Sequence, residues 1–115
     1  MHALFIVLNA LDYLDDILAG FVREGISGAT ILDSQGMGSA IVSSDNRNIP
    51  LFGSLQMLLG DRHPYSKTIF TVLEDEEMVE KAVSVVQGVV EDNSSNGVGF
   101  MFTVPIGKVY QMNKN

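Results

Sequence analysis

The chain offers few groups that could carry out covalent chemistry. It contains no cysteine, which excludes disulfides, thiol catalysis and cysteine-bound zinc. It has no Gly-x-Ser-x-Gly element, no P-loop, and no nucleophile with a base at a recognisable spacing. We therefore do not expect an enzyme.

Two polar clusters remain as candidates for acid–base chemistry or metal binding. Residues 74–77 are four consecutive carboxylates, but a helix start attracts acids through its dipole, and we interpret the run that way. Asp61 and His63 could ligate a metal. No His-x-x-x-His or comparable cluster accompanies them, so we interpret them as a polar turn before a strand and predict no metal site.

Two Gly-x-Gly pairs are the more informative feature, at residues 36–38 and 97–99. Turns need glycine for their own geometry, so such a pair is a weak signal by itself. A glycine also has no Cβ, which lets backbone amides approach an anion closely. From the residues alone, a plain turn and an anion contact both stay open.

The composition bounds the class of protein. The 115 residues are enough for one domain, 1–115, and a hydrophobic fraction of 46% is enough for a core. A net charge of −7 disfavours nucleic-acid binding, and there is no basic stretch to favour an anionic membrane. The longest apolar run, residues 3–8, is too short to cross a bilayer and follows no basic leader. We expect a cytoplasmic protein.

Hydrophobic periodicity predicts alternating strands and helices. A helix runs from Leu11 to a glycine stop at Gly25, with Asn9 as its cap. A second helix is capped by Asp75 or Glu74, and its apolar residues recur at helical spacing: Val79, Ala82, Val83, Val86, Val89 and Val90. A last short strand is predicted over residues 108–112. The main strands are predicted at residues 2–8, 29–34, 67–73 and 99–104. The order is β-α-β, long loop, β-α-β, the split βαβ or ferredoxin-like α+β arrangement.

Both sides of this sheet are expected to be covered. Two helices can cover one face only, and a solvated second face should alternate apolar with polar residues. Residues 3–8 are apolar throughout, and the last main strand carries large apolar side chains on both sides: Phe100, Met101, Phe102 and Val104. We therefore expect the second face to be buried against other subunits.

The segment 35–65 is unusually long for a loop in a small domain, and such loops are normally functional. It is rich in Gly, Ser and Asn, yet it also carries a cluster of large apolar residues: Leu51, Phe52, Leu55, Met57, Leu58 and Leu59. This cluster either packs on its own protein or docks on a target, and the sequence leaves both open.

Four motifs, in order along the chain, resemble those of PII signal-transduction proteins. Residues 13–17 (Tyr-Leu-Asp-Asp-Ile) resemble the opening of their first helix, and residues 25–30 (Gly-Ile-Ser-Gly-Ala-Thr) their turn into strand two. Residues 35–38 (Gln-Gly-Met-Gly) resemble the start of the T-loop, and residues 96–99 (Asn-Gly-Val-Gly) the B-loop. The matches span about residues 3–112.

The resemblance implies a regulatory homotrimer with its sheets facing inward and a nucleotide site between neighbouring subunits. Such proteins bind ATP or ADP, often with 2-oxoglutarate, and act on target proteins through the T-loop, here about residues 38–65. The resemblance places ligand contacts at eight positions: Thr30, Gly36, Met37, Gly38, Gly97, Val98, Gly99 and Phe100.

The charged partners of that site differ in this chain. Phe100 stands where the B-loop lysine is expected, and Ser39 and Ala40 stand where the T-loop arginine and glutamine are expected. The last strand has Gln111 and Asn113 in place of two arginines. Because phosphates need compensating charge, three cations remain as candidates: Arg62, Lys67 and Lys108.

We therefore expect a ligand-sensing trimer that takes a small anionic ligand at its subunit clefts and signals through the long loop to a protein target. An adenine nucleotide is the open ligand candidate; 2-oxoglutarate and magnesium are not expected, because the glutamine that helps to hold them is missing. Two alternatives stay open: an interaction protein that has lost nucleotide binding, and a metal-binding trimer of the related CutA type.

Overall fold

Two strand–helix–strand units follow each other along the chain in the computed structural model, which describes residues 1–37, 65–91 and 97–113. The strands are β1 (His2–Leu8), β2 (Thr30–Ser34), β3 (Ser66–Leu73) and β4 (Gly99–Pro105). The helices are α1 (Leu14–Arg23), preceded by a 3-10 turn over Leu11–Tyr13, and α2 (Glu76–Val90). No helix among the described residues is long and apolar enough to cross a membrane.

The sheet has the strand order β2-β3-β1-β4, and each strand is antiparallel to its neighbours. The strands β1 and β2 are thus parallel, with β3 between them, and α1 connects them. The same relation holds for β3 and β4 around β1, with α2 as the connection. This is the predicted ferredoxin-like arrangement.

The core lies between the sheet and the two helices. Leu4, Ile6 and Leu8 alternate along β1 and are almost fully buried. They belong to one cluster with Ile17 and Phe21 of α1. The apolar spacing predicted for α2 is confirmed, because the buried residues of that helix are Val79, Ala82 and Val86.

The opposite face of the sheet is an apolar surface without a helix over it. Its rows follow from the strand register, in which Phe5 of β1 is paired with Phe70 on one side and Phe102 on the other. The rings of Phe5 and Phe102 stack with centroids 5.1 Å apart, and those of Phe5 and Phe70 at 5.7 Å. We call this surface the open face; it comprises Ala3, Phe5, Val7, Phe70, Val72, Phe100, Phe102 and Val104.

The helix ends confirm two of the three predicted signals. Asp75 caps α2, since its carboxylate accepts a hydrogen bond from the Met78 amide at 2.9 Å, and Gly25 ends α1 with φ 82°. The predicted Asn9 cap is wrong. The 3-10 turn begins after Ala10 without a side-chain cap, and the Asn9 amide is used in a backbone bond to Val98.

The predicted strand over residues 108–112 is also wrong. The chain leaves the sheet after Pro105, and the Ile106 amide donates to the Met1 carbonyl at 3.0 Å. Beyond it, Val109, Tyr110 and Met112 are exposed and belong to no strand. A strand needs a neighbouring strand for its hydrogen bonds, and in the described part of this chain none lies beside these residues.

Several predicted features fall outside the described residues. They are the second glycine of the first pair, Gly38, most of the long loop with its apolar cluster at 51–59, and the polar turn with Asp61, Arg62 and His63.

Candidate functional site

The second glycine pair forms the turn that leads into β4. Backbone hydrogen bonds connect this turn to the residues between β1 and the first helical segment. Gly97 has φ 87°, in the region where residues other than glycine are strained. The carbonyl of Val98 accepts hydrogen bonds from the amides of Asn9 (2.8 Å) and Ala10 (3.2 Å). The turn therefore fixes the entrance of β4 against the exit of β1.

Gly99 is required by the fold itself. Its φ is 152°, and a Cβ built on it would lie 2.2 Å from the carbonyl oxygen of Val7. Because that contact is with backbone, no side-chain movement could relieve it. The interpretation of this glycine as a structural turn residue is thereby supported, whatever else the turn binds.

Phe100 belongs to the open face. It is 60% exposed, and its ring stacks on Phe102 with centroids 6.1 Å apart. At the position where the resemblance expects a cation, this chain therefore extends an aromatic surface.

The cleft beside this turn is small and apolar. It has a volume of about 100 Å³ and lies between β1, β4 and α2. Pockets for drug-sized ligands measure roughly 300–1,000 Å³ and include a few polar groups. The residues that line this one are Ile6, Val7, Leu8, Val86, Val90, Val98, Gly99, Phe100 and Met101. Within a single chain it is not built for a phosphate.

The first glycine pair follows the end of β2. Gly36 and Met37 are both exposed. Gly36 lies outside the positive-φ region, and a Cβ on it would meet nothing within 4 Å among the described residues. In contrast to Gly99, the described structure of one chain gives no reason for a glycine at this position.

The two glycine turns lie at the same end of the sheet but on opposite edges. One register row crosses all four strands at this end, from Asp33 through Lys67 and Leu8 to Gly99. We call this end the glycine end. Its two edges are separated by three strand spacings, or about 14 Å. A single chain therefore does not bring the two turns together.

Thr30 is not at the glycine end. It is the first residue of β2 and is paired with Phe70, three rows from Asp33, which corresponds to roughly 10 Å along the strand. It is exposed. Within one chain it does not share a site with either glycine turn.

Lys67 is the one cation at the glycine end among the described residues. Its ammonium nitrogen lies 2.5 Å from Oδ1 of Asp33 on the neighbouring strand. The other described cations lie elsewhere: Arg23 ends α1, Lys81 pairs with Glu77 in α2 at 3.7 Å, and Lys108 follows β4. The sequence marked Lys67 and Lys108 as charges that remain for a phosphate; the first is already engaged and the second is far away.

A chain of three hydroxyls connects β2 and β3 on the other side of the same edge. Thr68 donates to Ser34 Oγ at 2.9 Å, and Ser66 donates to the carbonyl of Ser34 at 3.2 Å. The Ser34 and Ser66 oxygens are 2.7 Å apart. Either of these two hydroxyls can be the donor of that last bond.

Sequence reasoning missed Asp33 and these hydroxyls. They are brought together by the antiparallel pairing of β2 with β3, which places Asp33 opposite Lys67 and Ser34 opposite Ser66. The local sequence pattern holds no signal for this register. No group of three metal-ligating side chains occurs in the part of the chain that the structure describes.

Comparison with known proteins gives matches to a family model and to solved structures. The family model for nitrogen regulatory protein P-II matches residues 1–115. The crystal structure of Arabidopsis thaliana PII bound to citrate is similar in fold, with a TM-score of 0.68 at 14% identity, covering 96% of this chain and 81% of that one. No curated protein sequence matches the chain.

Proposed function

Because this chain belongs to the nitrogen regulatory protein P-II family, we propose that it acts as a trimeric sensor of a small anion. Three copies assemble through their open faces, the anion binds in clefts between the copies, and the segment 38–65 carries the signal to a protein target. Each of these three steps has its own support and its own test.

The open face carries the proposal of assembly. Val72, Phe102 and Val104 are each more than 40% exposed in the single chain, and Phe100 is 60% exposed. Contiguous apolar surface of this kind is typical of protein–protein contacts in soluble proteins. Covering it with further copies of the chain removes it from water, which is the main driving force for association.

The placement of the glycine turns supports a ligand site between copies. Gly36 follows the strand at one edge of the sheet, and the Gly97–Gly99 turn opens the strand at the other edge, both at the glycine end. Neighbouring copies that meet edge to edge would bring the β2 exit of one beside the β4 entrance of the next. Backbone amides in such glycine turns suit an anion.

The ligand class is a small anion, with an adenine nucleotide as the first candidate. The similar Arabidopsis thaliana protein was crystallised with citrate, so this compact, multiply charged anion is the second candidate to test. Thermal unfolding with millimolar ATP, ADP, AMP, cyclic dinucleotides or citrate should raise Tm for the true ligand, since binding to the folded state stabilises it. If none of them moves Tm, the sensor proposal is wrong.

An interaction protein without nucleotide binding is the second candidate. The small apolar cleft beside Gly99, the aromatic ring at position 100 and the pairing of Lys67 with Asp33 all favour it. It predicts an intact trimer whose Tm is unmoved by every anion tested. The same titration therefore separates the two functions.

The segment 38–65 is proposed as the partner-facing part. Deleting residues 43–59 should leave the Tm of the assembly unchanged and abolish capture of the target from a lysate of the native cell. A fall in Tm by many degrees would instead assign the apolar residues of 51–59 to the protein's own core.

A further inference from the structure

The ion pair between Asp33 and Lys67 lies at the glycine end of the sheet, where the anion site is proposed. It lies in the register row that joins the two glycine turns, and it connects the ends of β2 and β3, between which the segment 35–65 leaves the sheet. Lys67 is the one described cation at this end. An anion that binds near the Gly36 turn, beside the β2–β3 edge, therefore meets a lysine that already has a carboxylate partner.

The two partners differ in their surroundings. The Asp33 side chain is 88% exposed, whereas that of Lys67 is 30% exposed. Exposed ion pairs contribute little to stability, because water and salt screen them. Asp33 can thus leave for water at small cost, while the surroundings of the Lys67 side chain restrict where its ammonium group can go.

We propose that Asp33 is an internal competitor: it holds Lys67 in the free protein, and a small anion entering at the glycine end must displace it. The proposal rests on the anion site proposed above and adds a threshold to it. The cost of separating the pair is subtracted from the binding free energy of every anion, so the site fills at a higher ligand concentration than Lys67 alone would set.

The same pair also closes the base of the long segment. On one face of the β2–β3 ladder the connection is Asp33 to Lys67, and on the other it is the hydroxyl chain of Ser34, Ser66 and Thr68. When an anion takes Lys67, the hydroxyl chain on the other face remains in place. Filling the site thus loosens a side-chain connection between the ends of β2 and β3, where the segment 35–65 begins.

The test compares Asp33→Asn with the wild type and with Glu24→Gln. Both variants change the net charge from −7 to −6. Glu24, however, follows α1 at the opposite end of the sheet. Its distance from Lys67 exceeds the Debye length of roughly 8 Å, so salt screens its charge from the site. Calorimetric titration with ATP and with citrate should give affinities about two- to fivefold higher for Asp33→Asn. Glu24→Gln should match the wild type.

A third variant, Lys67→Met, tests whether the lysine itself contacts the anion. Loss of a charge-assisted contact should weaken binding of the same anion by about tenfold or more. In the absence of ligand, Asp33→Asn should also speed amide hydrogen exchange at Ser34 and Ser66, because one connection at the base is gone, while Glu24→Gln should not.

The outcomes separate this inference from the proposed function. Suppose that the wild type binds the anion. If Asp33→Asn then binds no more tightly, or Lys67→Met keeps full affinity, the proposal that Asp33 competes for Lys67 is wrong, and the proposal of an anion sensor is unaffected. If only Asp33→Asn binds, the competitor is right and the native protein is not a sensor of that anion. If no form binds either anion, Asp33 is not a competitor for ATP or citrate, and the sensor proposal falls only if ADP, AMP and cyclic dinucleotides also leave Tm unmoved.

Discussion

At the scale of single residues, the two glycine turns show that the same residue type is present for different reasons. Gly99 combines a φ of 152° with a backbone oxygen at 2.2 Å from any added Cβ. Gly36 has neither a positive φ nor a close described neighbour. Packing therefore explains the first glycine, and the described residues give no packing reason for the second.

Replacement of Gly99 should be costly. Gly99→Ala forces a Cβ against the Val7 carbonyl, and such overpacking costs about 1–3 kcal/mol or more in the free energy of unfolding. Urea denaturation measures this loss. Gly107→Ala is the matched control, because its Cβ would enter open space, and it should change stability by less than about 0.5 kcal/mol. Equal stability of both variants would show that β4 does not enter the sheet as described.

Replacement of Gly36 should separate function from stability. Gly36→Ala should leave the free energy of unfolding within about 0.5 kcal/mol of the wild type, because no described atom lies in the way. If the turn contacts the anion, the added methyl group blocks close approach, and the ligand-induced rise in Tm should disappear. Gly107→Ala should keep that rise. A full ligand response in Gly36→Ala would remove this turn from the site.

The sequence allowed the candidate residues to be found but not their partners. The amino-acid sequence shows both Gly-x-Gly pairs and the lysine at position 67. That Lys67 is held by Asp33 depends on the register of two strands separated by the long segment, and one residue of slip would place a different side chain opposite it. Local pattern carries no information on such a register.

At the scale of elements, the two helices meet through a small residue. A Cβ on Gly20 of α1 would lie 2.5 Å from Cγ1 of Val85 in α2, so the absence of a side chain lets the helices approach closely. Gly88 lies one turn further along α2, where a Cβ would meet nothing within 4 Å among the described residues.

These two glycines should respond in opposite directions to the same change. Gly88→Ala should stabilise the protein by about 0.5–1 kcal/mol, the difference in helix propensity. Gly20→Ala gains the same propensity but must displace Val85, and we expect a net loss of about 1 kcal/mol. Thermal and urea unfolding measure both. If Gly20→Ala stabilises as much as Gly88→Ala, the described crossing of the helices is wrong.

Elements that bury one face could be predicted closely, and those that depend on a neighbour could not. The strand over residues 2–8 and the buried positions of α2 follow from hydrophobic pattern, and the structure has them as predicted. The expected strand over 108–112 contains apolar residues, but no strand lies beside it in the described part of the chain. The Asn9 cap failed because the 3-10 turn begins at Leu11, so that Ala10 and not Asn9 stands at the cap position.

At the scale of the whole molecule, the arrangement of layers leaves one question, which is what covers the open face. Two helices pack on one side of the sheet, and the stacked rings of Phe70, Phe5 and Phe102 lie on the other. The exposed positions are at the rim of this surface, whereas Phe5 at its centre is half-buried by its neighbours. A charge placed at the rim therefore tests assembly without disturbing the core between sheet and helices.

Phe102→Asp should prevent assembly while the chain stays folded. Phe102 is 44% exposed in the single chain, so a carboxylate there remains in contact with water, but between copies it would be buried without a partner, at a cost of several kcal/mol. Light scattering after gel filtration should report three times the chain mass of 12.5 kDa for the wild type and one chain mass for the variant. Circular dichroism should show that the variant keeps its helices.

Val22→Asp is the matched control, because Val22 is 68% exposed on α1 in the other layer, and it should remain a trimer. A wild-type monomer at micromolar concentration, or a trimer of Phe102→Asp, would show that the open face is covered by something other than a second copy of this chain.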